Sequence, residues 1–488
     1  MFSKSDIHFR LIIKFIGILL MMLSGFMATS MFWSWYYQEG TTIRALLISS
    51  GITFLAGFLL FILTRGYDHR NIGKKEGYIV VTLTWVSITL FGSLPFYISG
   101  AIPAYVNAFF ETMSGFTTTG ATILPDIEAM PKGLLFWRSM THWLGGMGII
   151  VLTLAILPIL GVGGMQLFVA EAPGTTPSRL HPRITETAKR LWGIYMIFTF
   201  TQTALLMLGG MDLFDSLCHA FSTMATGGFS TKNDSIAGFS PYIQYVIVLF
   251  MIIGGTSFSL HYFLLKGEFN KVLKNEEFLF YLKVIAGFTL VLTFSIYLLH
   301  ISDLERSFRK ALFQVVSILT TTGFTTTDYL EWRTFMWFAI FILMFTGGCI
   351  GSTAGGIKMI RILVLVKNTR LELKRLIHPM AVIPVRINGK TIPTEIIHNF
   401  LAFFLIYMLI FMAGSAIMTV FGLDFESAVG ASIATIGNIG PSISSIGPSE
   451  HYEHLHTGAK WVLSFFMLLG RLELFTVLLL FSPSFWKR

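Results

Sequence analysis

The stretch Thr117-Thr118-Thr119-Gly120 recurs in related form at three later places in the chain. The other copies are Met224-Ala225-Thr226-Gly227, Thr320-Thr321-Thr322-Gly323 and Ala434-Thr435-Ile436-Gly437. A run of roughly a dozen residues, too short to cross a bilayer, precedes each copy, and an apolar run long enough to cross follows it. Irregular backbone is tolerated at membrane depth only where protein shields it or where it lines a water-filled cavity. The repetition therefore predicts four re-entrant segments around one central pore.

The composition is that of a membrane protein. Hydrophobic residues make up 54% of the chain and charged residues 12%, against about 25% charged residues in soluble domains. Ten apolar runs are long enough for a helix across a hydrocarbon core of ~30 Å; they fall at 11–32, 42–64, 78–100, 134–160, 190–210, 241–265, 280–300, 334–350, 396–421 and 459–482. The predicted fold class is an all-α polytopic membrane protein.

The basic residues predict the orientation. If both termini are cytoplasmic, the inside segments hold 25 of the 35 Lys and Arg residues; these segments are 1–14, 65–77, 165–190, 266–283, 358–390 and 487–488. This is a positive-inside bias. The net charge of +9 therefore reports topology, and no nucleic-acid partner is expected because no soluble basic face is present.

The four glycine stretches share one order of elements: a span, a short helical stretch, the glycine stretch and a second span. The short stretches are 105–117, 212–224, 308–320 and 424–434, each covering roughly 15–20 Å, or half a bilayer. Each stretch must therefore enter the membrane and return to the side from which it came. Their carbonyl ends carry the negative end of the helix dipole, so they favour a cation in the central cavity.

Glycine at the end of each stretch permits a positive φ or a close backbone approach. Backbone carbonyls can then replace the hydration shell of an ion. Carbonyl oxygens without fixed charge suit a large monovalent cation better than magnesium, so potassium is the natural candidate. One Thr-Thr-Gly alone would be read as a helix cap, but four copies in matching positions favour a filter.

A second glycine signal follows each stretch, at Gly145-Gly146, Gly254-Gly255, Gly347-Gly348 and Gly470-Arg471. Small residues at mid-span allow close helix approach. In the fourth copy Arg471 replaces the second glycine, and an intramembrane charge usually faces a bundle interior or a water-filled cavity. We predict that Arg471 faces the pore below the filter; the alternative is an ion pair with Glu473 or Glu111.

The third copy continues into a glycine-rich segment, which we call the glycine loop, residues 347–358. Five glycines and one lysine characterise it: Gly347, Gly348, Gly351, Gly355, Gly356 and Lys358. Glycine at this density does not hold a straight helix well, so the sequence predicts a flexible intramembrane loop that acts as a gate. A phosphate-binding loop is not expected, because Ile357 separates Gly356 from Lys358.

With these motifs in view, the chain resembles the Trk/Ktr/HKT superfamily of potassium transporters, and within it the bacterial TrkH/TrkG-type membrane subunit. The motifs that carry the resemblance are the segments 118–122, 225–231, 321–326, 436–441, 351–358 and 470–473. The resemblance implies a two-helix unit followed by four membrane-pore-membrane repeats around a central ion pore. The implied boundaries are 1–70 for the two extra N-terminal helices, then 71–165, 166–270, 271–392 and 393–488.

The resemblance also implies potassium coordination by a set of backbone carbonyls and neighbouring glycines. The set is Thr118, Thr119, Gly120, Ala225, Thr226, Gly227, Thr321, Thr322, Gly323, Thr435, Ile436 and Gly437. In this superfamily serine at the first glycine goes with sodium preference, and Gly120 is glycine here. Ser442 is a departure, since relatives often carry another glycine there.

The resemblance further implies a homodimer in the cytoplasmic (inner) membrane and a cytosolic ring of TrkA-like subunits. Those subunits would bind ATP/ADP or NAD and control the gate, while this chain carries no covalent cofactor and takes potassium as its substrate. The alternative function is a secondary transporter that couples potassium entry to sodium or proton movement by symport, but such folds often use inverted repeats.

The remaining polar residues do not suggest catalysis. His451, His454 and His456 lie in an outside loop and are read as solvated rather than as a metal cluster. No serine, cysteine or carboxylate pair has the spacing of a catalytic site. The sequence therefore does not predict an enzyme.

Overall fold

The computed structural model describes residues 7–65, 74–148, 184–299, 302–381 and 383–487. Within these ranges the regular secondary structure is helical apart from one short hairpin, β1 (Arg386–Ile387) paired antiparallel with β2 (Lys390–Thr391). The expectation of an all-helical protein with several membrane-spanning helices is confirmed. The end of the predicted span 134–160 and the predicted boundaries at 70/71 and 165/166 lie outside the described residues.

The helices follow one another in chain order. They are α1 (Phe9–Tyr36), α2 (Gly40–Leu63), α3 (Lys74–Gly92), α4 (Leu94–Ile98), α5 (Tyr105–Phe116), α6 (Lys132–Trp143), α7 (Ile184–Leu208), α8 (Leu213–Met224), α9 (Pro241–Gly254), α10 (Phe258–Leu265), α11 (Phe269–Leu273), α12 (Glu276–Leu298), α13 (Leu304–Leu319), α14 (Thr334–Leu343), α15 (Met359–Ile377), α16 (Thr394–Val420), α17 (Phe425–Ile436), α18 (Thr457–Arg471), α19 (Phe475–Leu478) and α20 (Pro483–Trp486). A π-helical turn, Leu144–Gly148, continues α6.

Six helical stretches are long and apolar enough to cross a membrane, and they coincide with six predicted runs. They are Phe9–Tyr36, Gly40–Leu63, Lys75–Ile98, Ala188–Leu208, Glu276–Leu298 and Thr394–Val420. Many of their large apolar side chains are exposed on the protein surface, as Leu47, Leu59 and Leu405 are. Exposed apolar side chains are unfavourable in water but not against lipid tails, so this surface is suited to contact with lipid.

Two predicted spans are wrong as continuous helices, and a third ends a few residues earlier than the break that the sequence predicts at the glycine loop. The run 241–265 is two helices, α9 and α10, bent by 102°, and the run 459–482 is bent by 112° after Arg471. The helix of the run 334–350 already ends at Leu343. Apolar composition does not detect these breaks, which fall at Gly254-Gly255, at two positive-φ residues after Arg471, and before the glycine loop.

Four short helices stand where the sequence predicts re-entrant segments: α5, α8, α13 and α17. Acidic residues cap two of them at the N-terminus, since Asp212 accepts a hydrogen bond from the Asp215 N–H (3.2 Å) and Asp424 from the Ser427 N–H (3.1 Å). Such caps satisfy backbone donors that have no partner within the helix. Most residues of these short helices are buried, and every described residue in the last two turns of each is buried, so protein and not lipid surrounds those ends.

Close packing at two glycines holds the N-terminal helices α1 and α2 together, and hydrogen bonds attach the pair to α6. Gly17 and Gly57 let α1 and α2 approach so closely that a Cβ at either would lie 2.6 to 2.7 Å from the carbonyl oxygen of the other. Small residues at such crossings are typical of membrane helices. The carboxylate of Glu39 then accepts hydrogen bonds from the backbone N–H groups of Lys132 and Gly133 at the start of α6.

Candidate functional site

Each short helix ends in the same unusual turn. The residue that follows its C-cap region has a left-handed conformation with φ between 53° and 55°, and these residues are Thr118, Thr226, Thr321 and Asn438. The next N–H bonds back to the carbonyl five residues earlier, as from Thr119 to Ser114 (2.9 Å) and from Thr322 to Ser317 (2.8 Å). This is the Schellman arrangement, in which glycine is usual. Threonine or asparagine there costs about 1 kcal/mol, and such strain clusters at functional sites.

We call each short helix together with the glycine stretch that follows it a unit. When the four left-handed residues are aligned, the glycines that correspond to one another differ from the predicted ones in units two and four. Two residues after each of them stands a glycine with φ between 79° and 90°: Gly120, Gly228, Gly323 and Gly440, which we call the ring glycines. The predicted glycines Gly227 and Gly437 are therefore not equivalent to Gly120. Thr435 and Ile436 lie in the last turn of α17, and Asn438 and Ile439 occupy the places predicted for them.

The four ring glycines form a closed ring of backbone contacts. A Cβ added at any of them would lie only 2.0 to 2.7 Å from a carbonyl oxygen of the next unit. The pairs are Gly120 with Gly227, Gly228 with Thr322, Gly323 with Ile439, and Gly440 with Thr119. Each partner is the residue before the next ring glycine, and the fourth unit contacts the first. Close approach and positive φ together explain why only glycine fits these positions.

The carbonyls of this ring are available for a ligand. Among the described residues, none donates a hydrogen bond to the carbonyl oxygens of Thr119, Gly227, Thr322 or Ile439, which we call the ring carbonyls. Backbone carbonyls in a buried site normally have a partner. A cavity of about 190 Å³ opens on the ring, and all four ring glycines line it. The arrangement suits a cation that exchanges its water shell for carbonyl oxygens.

The threonine side chains turn to other partners. The Oγ1 atoms of Thr117 and Thr119 lie 2.8 Å apart, as do those of Thr320 and Thr322, and the Asn438 Nδ2 donates to the Thr119 Oγ1 (3.0 Å). All of these side chains are buried. The hydroxyl groups are thus satisfied within the protein, which leaves the backbone carbonyls as the oxygens that face a ligand.

An exposed carboxylate lies beside the cavity, between the lining residues Pro125 and Ile127. Asp126, in the exposed loop before α6, accepts a hydrogen bond from the Asn233 side chain (2.9 Å). This bond holds the pKa of Asp126 below its usual range, because hydrogen bonds to the ionised form favour it. The charged residues that line the cavity itself are Arg138, Lys232 and Glu450.

The glycine loop lies against the opposite side of the ring from this cavity. Its two ends pair with each other at Thr346 and Ile357, and Gly347 donates to the Ile357 carbonyl (2.9 Å). Gly355 packs on the Gly437 carbonyl and on Asn438. Thr353 donates to the Met224 carbonyl (3.0 Å). The six predicted gate residues of the loop are thus brought together under the ring; the motion expected of them stays a prediction.

Arg471 reaches from α18 into the same region. Its Nη1 donates to the Thr118 Oγ1 (3.1 Å) and the Thr353 carbonyl (2.7 Å), and its Nη2 donates to the carbonyls of Gly145 (2.6 Å) and Gly146 (2.7 Å). The guanidinium therefore joins the first ring segment, the first glycine pair and the glycine loop. The two carboxylates considered as alternative partners hold other arginines, Glu111 with Arg138 and Glu473 with Arg361.

Glycine pairs one, two and four share one spatial role, whereas the third pair packs mainly against the glycine loop, with Gly347 on the Gly355 carbonyl. Gly145 and Gly470 pack beneath the last carbonyl of their own short helix, since a Cβ would lie 1.8 Å from the Phe116 oxygen and 2.0 Å from the Ile436 oxygen. Gly146 packs on Ala225 and Gly255 packs on Thr320, each in the next unit. Arg471, at the second position of the fourth pair, likewise contacts the next unit around the ring. That unit is the first, because the ring is closed, and the contact is with Thr118.

Several site residues were not predicted. Gly228, Gly440 and Asn438 were missed because two glycines stand close together in units two and four, and the sequence does not say which of them has positive φ. Glu277 was also missed; its Oε1 accepts hydrogen bonds from the N–H groups of Ile350 (2.7 Å), within the glycine loop, and Ile360 (3.2 Å), just after it. A buried carboxylate at the end of a membrane helix is a signal that could have identified it.

His451, His454 and His456 do not assemble a metal site. In the described part of the chain, no group of three or more His, Cys, Asp or Glu side chains is arranged to hold a metal ion. His456 instead caps α18, accepting a hydrogen bond from the Gly458 N–H (3.1 Å).

Comparison with known proteins places the chain in one family. The family described as TrkH, cation transport protein, matches residues 50–488. The Trk system potassium uptake protein TrkH of Escherichia coli (strain K12) is 40% identical over 485 residues, with 98% of this chain and all of that protein covered. The Trk system potassium uptake protein TrkG of the same organism is 32% identical over 491 residues and covers 98% of this chain and 99% of its own length.

The fold has a counterpart of known structure. The crystal structure of the potassium transporter TrkH from Vibrio parahaemolyticus superposes with a TM-score of 0.88 at 37% sequence identity, covering 98% of this chain and all of that one. The family resemblance expected from the motifs is confirmed. The chain is therefore a transport protein and not an enzyme, and it belongs to the TrkH family of cation transport proteins.

Proposed function

We propose that this chain forms a channel-like, potassium-selective pore for uptake across the cytoplasmic membrane. The observation that carries the proposal is the closed ring in which four glycines each contact the carbonyl before the next. Four such carbonyls with no donor in the described chain form a ring of partial negative charges. A large monovalent cation gives up its water to such oxygens more readily than magnesium does. The relatives named above are potassium uptake proteins, which supports the same ion.

The potassium-binding set that we propose follows the register of the structure. It consists of Thr118, Thr119, Gly120, Ala225, Thr226, Gly227, Gly228, Thr321, Thr322, Gly323, Asn438, Ile439 and Gly440. The ring runs in one direction through all four units, which supports four parallel membrane-pore-membrane repeats after the two N-terminal helices. Inverted repeats, as many secondary transporters have, would reverse the order of contacts in alternate units.

The gate that we propose is the glycine loop together with Arg471. The loop lies between the ring and the bend that separates α9 from α10. At this bend the backbone N–H of Cys349 donates a hydrogen bond to the Gly255 carbonyl (2.8 Å). Arg471 adds a positive charge beside Thr118, on the path that a cation would take below the ring. A loop that shifts and carries the arginine's acceptor Thr353 with it would clear that path.

A cytosolic partner controls the opening of the gate in this proposal. The connector that would receive it is α15 with the β1–β2 hairpin, and a cavity of about 460 Å³ lies between them and the start of α16. Glu276 links the connector to α12, bonding with Lys367 and with the Asn388 N–H (2.8 Å). We propose that a homodimer of this chain, with both termini cytoplasmic, docks a nucleotide-binding ring of TrkA-like subunits here, and that ATP/ADP or NAD binds to that ring.

Purified protein in liposomes tests the function. Under an inside-negative potential we expect rubidium and potassium uptake with little sodium uptake, and no dependence on a proton or sodium gradient at fixed potential. Equal permeability to sodium and potassium would contradict the selectivity. Uptake that requires a sodium or proton gradient would instead favour symport.

A further inference from the structure

We propose that the buried ion pair Glu111–Arg138 positions the filter and thereby determines its selectivity. The inference rests on the proposed function and deepens it. Glu111 lies on α5 and Arg138 on α6, and the two residues are 1% and 2% exposed. The Arg138 Nε donates to the Glu111 Oε1 over 2.7 Å. The pair is therefore a short, charge-assisted hydrogen bond in a region with little water.

Glu111 holds the exit of the first filter segment. Its Oε1 also accepts a hydrogen bond from the Thr122 Oγ1 (3.0 Å), and its Oε2 accepts one from the Ile123 N–H (2.8 Å). Thr122 and Ile123 follow the ring glycine Gly120 by two and three residues. One carboxylate thus fixes the direction in which the chain leaves the first unit of the ring.

Arg138 holds the exit of the second filter segment. Its Nη1 donates to the Ser230 carbonyl (2.9 Å), and its guanidinium lies 3.5 Å from the centre of the Phe229 ring. Phe229 and Ser230 directly follow the ring glycine Gly228. The pair therefore connects two neighbouring units at the positions immediately outside their ring glycines, and Arg138 also lines the outer cavity.

The corresponding positions in the other units carry no such bridge. Nine residues before each ring glycine stand Glu111, His219, Gln314 and Ala431. The His219 Nε2 bonds to the Ser230 Oγ (3.0 Å) and the Gln314 Nε2 to the Thr327 carbonyl (3.3 Å), each within its own unit. In the described chain, only at Glu111 does an ionised side chain at this position reach the neighbouring unit through an arginine.

The chemistry of the pair favours a positional role over a stabilising one. Buried ion pairs contribute little net stability because desolvation offsets the Coulomb attraction. Guanidinium and carboxylate groups do fix angles and distances, since the guanidinium is planar and its donors point in set directions. A filter that discriminates ions of different size requires such fixed carbonyl positions, so the pair acts on selectivity by holding two exit segments at one separation.

The test measures the potassium-to-sodium permeability ratio in liposomes for E111Q, R138Q and the double variant E111Q/R138Q. We expect the ratio to fall about tenfold in each, which corresponds to about 1.4 kcal/mol of relative ion stabilisation. R138K keeps the charge but not the planar donor set, and we expect an intermediate ratio. The double variant leaves no unpaired charge buried, so it covers the case in which a single variant does not fold.

A second buried ion pair provides the matched control. Arg361 and Glu473 are also joined and mostly buried, but they lie beyond the glycine loop and not at the ring exits. We expect E473Q to keep the wild-type ratio, whatever its effect on thermal stability. A wild-type ratio in folded R138Q and in E111Q/R138Q would overturn the inference. Absence of potassium uptake by the wild-type protein would instead contradict the proposed function.

Discussion

The side-chain oxygen of Thr321 accepts a hydrogen bond of 2.7 Å from the backbone N–H of Gly355. Thr321 is the left-handed residue in the glycine stretch of the third unit, and Gly355 belongs to the glycine loop. Two further left-handed residues have equivalent contacts, Thr226 with Thr353 (3.3 Å) and Thr118 with Arg471 (3.1 Å). The loop and the arginine therefore hold the strained turns of the filter directly, and a loop displacement of about 1 Å would break the Thr321 bond.

Removal of this hydroxyl should loosen the loop. For Thr321→Ala we expect faster rubidium uptake in the absence of any partner, by about fivefold, because one hydrogen bond contributes about 1 kcal/mol to the closed arrangement. Thr321→Ser keeps the acceptor and should resemble the wild type. The measurement is the initial uptake rate in liposomes at equal protein content. Equal rates for the alanine and serine variants would show that the bond does not restrain the loop.

Arg471 should act as an electrostatic barrier. Arg471→Gln removes the charge beside Thr118, and we expect the maximal rubidium uptake to rise by more than about tenfold, since a unit charge about 4 Å away contributes a few kcal/mol in a partly buried site. Arg471→Lys keeps the charge and should conduct like the wild type. An unchanged rate in the glutamine variant would mean that the ion path does not pass the guanidinium.

Gly120→Ser tests the filter itself. The residue has a φ of 79°, and a Cβ there would lie 2.1 Å from the Gly227 oxygen. A side chain must push that ring carbonyl away, so we expect sodium permeability to rise relative to potassium by about tenfold or more, and the thermal stability to fall by about 1 kcal/mol. If the permeability ratio stays at the wild-type value, Gly120 is not a filter residue.

The register of the fourth unit is tested by a pair of substitutions. Gly440 has a φ of 90° and contacts the Thr119 carbonyl, whereas Gly437 caps α17 with a φ of −76°. We expect Gly440→Ala to lower the potassium-to-sodium ratio as Gly120→Ser does. Gly437→Ala should keep more of the selectivity, because alanine readily adopts a negative φ and its Cβ would meet the Ile433 oxygen of α17 (2.8 Å) and not a ring carbonyl. The opposite ranking would restore the register that the sequence alone suggests.

The sequence predicts the positions of the short helices well because each is marked by local signals. The predicted stretch 105–117 corresponds to Tyr105–Phe116, and 212–224 corresponds to Leu213–Met224. An apolar stretch too short to span the bilayer, followed by a glycine, marks these limits within the segment itself, and a capping aspartate adds to the signal at Asp212. The spans that break are predicted less well, since a bend at a glycine pair depends on packing against the neighbouring unit and leaves hydropathy unchanged.

The filter register required information that a single unit does not contain. In units one and three only one glycine stands directly after the threonines, and in both it is the glycine with positive φ. In unit two Gly227 and Gly228 are adjacent, and the choice between them depends on the contact of Gly228 with Thr322 in the next unit. The pair Glu111–Arg138 likewise joins residues on different helices. Two charges in apolar surroundings could have been matched by the rule that such charges pair.

Glu277 should be required to hold the base of the glycine loop. One carboxylate oxygen accepts the N–H groups of Ile350 and Ile360, and the preceding residue, Glu276, bonds with Lys367 of the connector. A displacement of the connector by a partner would thus reach the loop through two consecutive residues of α12. We expect Glu277→Ala to raise partner-free rubidium uptake about fivefold, since two N–H groups lose their acceptor.

Glu277→Gln distinguishes the acceptor from the charge. The amide oxygen can still accept both N–H groups, so this variant should keep the low partner-free rate of the wild type. Glu276→Gln should also keep that rate but weaken the response to a cytosolic partner, because the ion pair with Lys367 is lost while the loop keeps its anchor. A low partner-free rate for Glu277→Ala would contradict the anchoring role of this carboxylate.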